Sequence, residues 1–261
     1  MNPLRRLVAP LAMVCALLGA WELASRWDVL SELLGIEPFL VPSPSEIADS
    51  LWTDRDLLAR NAWVTFGEVI GGFAVAVAVG VTSAIALHLS PALRRAFYPL
   101  VVASQTIPII VVAPIFVVWF GFGVGPKIAI IALICFFPIC VSMLDGLAAV
   151  DGSQRKLMRS LGASRLQTLT RLELPASLPQ LLSGAKIAVA VAVIGAVFGE
   201  WAGATEGLGH LMLVDNAQLE VPRLFAAVAV LSAMAIGLFA LLTLIERRLA
   251  WWGSSRPATN T

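Results

Sequence analysis

Charge is scarce in this chain. Only 13% of its 261 residues are Asp, Glu, Lys or Arg, about half the share of an ordinary soluble domain, while 59% are hydrophobic and the mean hydropathy is +0.87. Such a composition excludes a normal soluble surface. Lysine is scarcer still. Lys127, Lys156 and Lys186 follow Pro126, Arg155 and Ala185, so no Gly-Lys-Ser/Thr loop exists to cradle a phosphate, and the chain does not hydrolyse ATP by itself. The two histidines, His88 and His210, belong to no HExxH, and GxSxG is absent too. No aspartate pair lies within an apolar span as an intramembrane peptidase requires. Cys15, Cys135 and Cys140 all fall inside apolar runs, where a small hydrophobic role outweighs a disulfide or a zinc site. The expectation is a non-catalytic protein with no metal ligands.

What is present is long apolar sequence. Runs of the roughly 20 residues that cross a bilayer recur near Leu7–Leu23, Val64–His88, Leu100–Trp119, Ile128–Leu147, Leu181–Glu200 and Leu224–Ile245. The runs do not alternate polar and apolar residues, which excludes a barrel and leaves helices. The chain therefore reads as an all-α integral membrane protein of about six transmembrane helices. It forms a single domain over residues 1–261, with its core at about 60–250. Arg5-Arg6 ahead of the first run invite a signal-peptide or twin-arginine reading. No A-x-A site follows, however, and five further runs make a signal anchor the simpler account.

Basic residues set the orientation. With the N-terminus inside, Arg5, Arg6, Arg94, Arg95, Arg155, Lys156, Arg159, Arg165, Arg171, Arg247, Arg248 and Arg256 are cytoplasmic. Arg26, Arg55, Arg60, Lys127 and Arg223 are outside, and Lys186 lies near a span end. Most acids fall outside. This distribution obeys the positive-inside rule and puts both termini in the cytoplasm. Between Leu30 and Arg60, Pro38, Pro42 and Pro44 break the chain. Ser45-Glu46 are expected to open an amphipathic helix of about a dozen residues on the outer side, within reach of a delivering partner.

The segment from Asp151 to Pro179 is polar and carries Arg155, Lys156, Arg159, Arg165 and Arg171. It reads as two short helices. Ser153 is expected to cap the first, and Gly162 to end it in the left-handed conformation that glycine alone adopts without steric cost. Ser164 and Gln167 form a capping box for the second, which is expected to run to about Leu174 and stop at Pro175. The result is a helical elbow at one membrane face.

Gly162, nine residues and then Leu172-Glu173-Leu174-Pro175 resemble the EAA loop of binding-protein-dependent ABC importer permeases. The Glu-Ala-Ala positions of that motif hold Lys156, Leu157 and Met158 here, which removes the usual charge partner of the first elbow helix. An ordinary cytoplasmic hairpin of some other membrane protein is the alternative. Beyond the elbow, Gln105-Thr106-Ile107-Pro108, Trp119-Phe120-Gly121-Phe122-Gly123, Phe136-Phe137-Pro138 and Gly207-Leu208-Gly209 resemble the nitrate, sulfonate and taurine branch of these permeases. Ile107-Pro108-Ile109-Ile110, Gly199-Glu200-Trp201 and Gly207-Leu208-Gly209-His210-Leu211-Met212 are most similar to importers of pyrimidine thiamine precursors or related vitamins, with sulfonates, taurine and nitrate open.

The resemblance implies the type I ABC importer permease fold in a bacterial inner membrane. Its implied partners are a second permease copy, two cytoplasmic ABC ATPases that bind ATP and Mg, and an extracytoplasmic solute-binding protein, with no nucleic acid. It also implies an ATPase-coupling role for Ser160, Leu161, Gly162, Ala163, Ser164, Leu172, Glu173, Leu174 and Pro175. No cofactor is expected in this chain.

Sequence physics points to the path. Pro108 and Pro114 remove backbone donors from the third run, and freed carbonyls at that depth need protein or a water-lined cavity. Gln105, Thr106 and Pro108 are therefore candidates to line it. Glu68 and Glu200 sit near outer span ends where they are expected to reach water, and Glu200-Trp201 are candidates for an outer gate. Asp145 is expected to be solvated or to pair with the elbow. Gly195, Gly199, Gly203 and Gly207, with Gly184, Ala188 and Ala192, form a small-residue face for close helix approach, within one chain or between two. An ion-driven secondary transporter is the competing class. It favours intramembrane carboxylates and an inverted repeat, and no clear repeat is seen.

Overall fold

The computed structural model describes residues 3–249. Among these there are twelve α-helices and no strand. Two compact units divide the chain, Met1–Val64 with Glu206–Leu231 and Thr65–Thr205 with Ser232–Thr261.

The first unit holds α1 (Pro3–Arg26), α2 (Val29–Leu34), α3 (Pro44–Thr53), the start of α4 (Arg55–Leu89), α11 (Leu208–Gln218) and the start of α12 (Val221–Leu249). Glu22 ties α1 to α3 by accepting from the Ser45 backbone at 3.0 Å and the Ser45 hydroxyl at 2.8 Å. The cap of α3 is Ser43, not Ser45, with Glu46 completing a capping box. Pro44 dictates this, because a proline lacking its N–H fits the first helical position and leaves the residue before it as cap. Arg223 at the start of α12 donates to the buried Asp215 of α11 at 2.7 Å, and the Gly207 N–H donates to Asn61 Oδ1 at 2.8 Å.

The second unit holds the rest of α4, then α5 (Pro91–Ala103), α6 (Ile109–Phe120), α7 (Val124–Ala148), α8 (Gly152–Ser160), α9 (Arg165–Thr168), α10 (Leu174–Gly203) and the rest of α12. Its centre is α7 against α10. The small-residue face of α10 makes this contact: a Cβ at Gly184 would stand 2.5 Å from the Pro138 carbonyl, one at Gly195 3.0 Å from Ile134, and one at Gly199 3.4 Å from Lys127 Cα. The expected close approach therefore occurs within the chain. Gly207 departs from that face, lying instead at the cap of α11 with φ +115°.

Residue pairings give the helix directions. Gly146 meets Ser177 and Gly184 meets Pro138, so α10 runs antiparallel to α7. Gly72 meets Ile131 and Gly80 meets Ile139, so α4 runs parallel to α7. With α4 and α7 pointing the same way, the chain between Ser90 and Gly123 has to cross back once. That crossing belongs to α5 and α6, which are bent by 103°. The third expected span is thus a broken one. The break is at Ile107–Pro108, where Ile107 is extended as a residue before proline must be, while Pro114 sits inside α6 without interrupting it.

Four helical stretches among the described residues are long and apolar enough to cross a membrane, and five if the bent pair is one span. The first expected run, Leu7–Leu23, falls on α1, several of whose side chains lie outside the described residues. The expected total of six is therefore not established.

Candidate functional site

Local sequence builds the elbow in three steps. Asp151, not Ser153, caps α8, accepting from the Ser153 N–H at 2.9 Å, and this bond holds the Asp151 carboxyl below the usual carboxylate range. At the other end the Gly162 N–H reaches the Arg159 carbonyl at 3.0 Å and the Ala163 N–H reaches Met158 at 2.9 Å, closing α8 with Gly162 at φ +77°. Ser164 and Gln167 then form the expected capping box for α9.

The second elbow helix does not stop at Pro175. It passes through a widened turn, Leu169–Glu173, straight into α10, with the Leu174 N–H reaching back five residues to Leu169. Proline lacks a donor and its ring collides with the carbonyl four residues earlier. A turn widened to five-residue spacing moves that carbonyl aside, so the helix accommodates the proline instead of ending. The second half of the elbow, from Arg165, and the 30-residue α10 are one continuous rod, to which α8 is joined through the Gly162 turn.

The elbow presents two faces. Leu157, Leu161 and Leu166 are 60%, 74% and 68% exposed, and Ser160, Gly162, Ser164 and Pro175 are also exposed. Ala163, Leu172 and Leu174 are half-buried, and Glu173 is buried. Glu173 is bound through both of its oxygens. Its Oε1 accepts from Arg155 Nε of α8 at 2.6 Å, and its Oε2 lies 3.0 Å from His88 Nε2 of α4. Arg155 also donates to the Leu147 carbonyl at the end of α7 at 2.6 Å, and Arg165 donates to the Leu89 carbonyl at the end of α4. These side chains, with Arg159, Ala163 and Thr168, line a cleft of about 420 Å³. Beneath it pack Ala84, Leu87, Met143, Leu144, Leu147 and Leu169.

A second polar cluster lies at the opposite end of the same three helices. Lys127 pairs with Glu68, and Thr65 Oγ1 donates to Glu200 Oε1 at 2.6 Å. Neither carboxylate reaches water as expected: Glu68 is 2% and Glu200 1% exposed, and Lys127 is buried with them. Helix packing explains the difference, because Gly199 lets Lys127 close against α10, where it pairs with Glu68 while the Thr65 hydroxyl serves Glu200. From Glu68 to His88, twenty residues of α4 span about 30 Å, the thickness of a hydrocarbon core. The two clusters thus lie about one hydrocarbon core's thickness apart along α4.

The path candidates are dispersed over the fold. Gln105, Thr106 and Pro108 are exposed at the bend between α5 and α6, where Thr106 Oγ1 donates to the Ala103 carbonyl at 2.8 Å. Glu200 is buried and Trp201, 41% exposed, stacks edge-on against Phe198 at 5.5 Å. About 39 Å of α10 separates Glu200 from Leu174. Asp145 is exposed, in keeping with a solvated charge. Reading the sequence alone missed His88, Lys127 and Thr65, whose partners are 59 or more residues away.

The chain belongs to the family described as binding-protein-dependent transport system inner membrane component, which matches residues 66–251. It is similar to the formylaminopyrimidine transport permease protein ThiX of Halalkalibacterium halodurans, at 37% identity over 87% of this chain and 90% of that one. It is also similar to the riboflavin transport system permease protein RibX of Chloroflexus aurantiacus, at 32% identity over 88% and 86%. The taurine transport system permease protein TauC of Escherichia coli is 30% identical over 88% and 86%. Among solved structures, an inward-facing MetNI methionine ABC transporter superposes with TM-score 0.68 at 19% identity, covering 76% of this chain and 98% of that one. The fold is that of the type I ABC importer permeases, and the chain is a non-catalytic inner-membrane component of an ABC importer. Membership implies ATPase and binding-protein partners.

Proposed function

We propose that the chain forms, as a homodimer, the translocation path for a small polar organic nutrient, a pyrimidine thiamine precursor or related vitamin first and a sulfonate, taurine or nitrate next. The similarity to ThiX and RibX supports the order, and that to TauC supports the alternatives. Two cytoplasmic ATPases, which bind the ATP and Mg, dock on the two elbows. A solute-binding protein delivers from outside, and both termini are cytoplasmic. No cofactor is held by the permease itself.

The observation that carries the coupling is the continuity of α9 with α10, together with the exposed Leu157, Leu161 and Leu166 of the elbow. Leu166 is on the rod itself, and Leu157 and Leu161 join it through the Gly162 turn, so movement at the docking surface is passed into tilting of the span. Coexpression with the cognate ATPase tests this. The ATPase should copurify with the permease, and Leu161→Asp with Leu166→Asp should release it while membrane insertion persists. Undiminished copurification of the double variant would place the dock elsewhere. Competition uptake with a formylaminopyrimidine, riboflavin, taurine and nitrate then ranks the solutes.

A further inference from the structure

The elbow is covalently continuous with α7 and α10 but not with α4, which ends 62 residues before Asp151. Any movement of α4 with the elbow has to pass through side chains. We propose that Glu173 is the positioning residue through which the elbow moves α4, standing in for the glutamate that the motif lacks at Lys156. This rests on the docking of an ATPase at the elbow proposed above.

Three features of the geometry support it. Glu173 is the last residue of the widened turn between α9 and α10. Its two oxygens face different elements, Oε1 taking Arg155 of α8 and Oε2 taking His88 on the last turn of α4. It is also buried, 6% exposed, so solvent competes little for either bond, and a charged bond in such a site holds its geometry more firmly than one at the surface. The titratable and charged groups around this carboxylate are His88 from α4, Arg155 and Arg159 from α8, and Arg165 from α9. Arg165 adds a second strap to α4 by donating to the Leu89 carbonyl, but it leaves the His88 side chain to Glu173 alone. About 30 Å back along α4, Thr65 and Glu68 bind Glu200 and Lys127, so displacement of His88 is delivered along the helix to that second cluster.

The test reads α4 movement without needing the solute. In a Cys15→Ala background, the remaining Cys135 and Cys140 are free but buried, and thus silent to a water-soluble maleimide. Ala86→Cys reports on the exposed side of the last turns of α4, and Ser160→Cys reports on the elbow. Labelling rates are compared between nucleotide-free complexes and complexes locked with ATP. In the parent both cysteines should change rate between the two states. In His88→Leu, which has no donor for the carboxylate and cuts only the α4 side, and in Glu173→Leu, the change at Ser160→Cys should persist while the ratio at Ala86→Cys falls toward one. An unaltered ratio at Ala86→Cys in both variants, or no change at that position in the parent, overturns the proposal. A parent that copurifies with no ATPase refutes the docking itself, a different failure.

Discussion

At the scale of single residues, burial and partners decide what each charge does. Lys127 is buried against Glu68, so Lys127→Met strands a carboxylate beside the core, and removing one member of such a pair costs about 3–5 kcal/mol. Lys127→Met should lower thermal stability in detergent sharply, and the double variant Lys127→Met with Glu68→Leu should recover much of the loss. Equal losses in single and double variants would mean that the pair is not the stabilising unit. Asp151 behaves differently. Its carboxyl is held low by the Ser153 N–H, so this cap contributes at neutral pH and is lost as the pH falls through the lowered value. The sequence showed that Lys156 replaces a glutamate. It did not show that Glu173 supplies the carboxylate, because Glu173 fills a motif position open to any residue and Arg155 lies 18 residues from it, beyond any helical repeat. Likewise Glu68 and Glu200 were legible as acids at span ends, but their burial depends on which helices meet there.

At the scale of elements, turn chemistry was the most legible part and helix continuity the least. Gly162 and the Ser164–Gln167 box stand where local rules put them, since each needs only neighbours within a few residues. Pro175 misled because a proline ends a helix only if its carbonyl clash is unrelieved, and the widened turn at Leu169–Glu173 relieves it. The break at Pro108 was legible as a helix interruption, whereas its 103° bend was not, because the direction taken after an extended residue is set by packing. At Gly162 nothing lies within 4 Å of an added Cβ, so a substitution there is opposed by φ alone. The β-branched Gly162→Val should therefore abolish uptake while the protein still inserts, the left-handed conformation costing about 1–2 kcal/mol. Gly162→Asn, a residue that tolerates that conformation, should keep most of the uptake. Equal activity of the two variants would show that the turn does not matter for coupling.

At the scale of the whole molecule, hydropathy located the apolar helices, but only the pairing of glycines with their neighbours shows that α4 and α7 run in parallel. That direction makes the bent pair a single crossing, and a crossing broken at Pro108 leaves backbone carbonyls near the bend without helical donors. Among the described residues, Gln105 and Thr106 stand at this bend and are exposed on the chain, offering neutral donors and acceptors without a charge to trap a polar solute. If this bend lines the path, Gln105→Leu with Thr106→Leu should reduce uptake more than it reduces copurification with the ATPase. In the Cys15→Ala background, Gln105→Cys should react with a water-soluble thiol reagent at a rate that differs between nucleotide-free and ATP-bound complexes, because alternating access wets the bend in one state and closes it in the other. Absence of reaction in both states would place the bend in lipid or protein packing, and the path would then have to run by Trp201, the exposed neighbour of the buried Glu200.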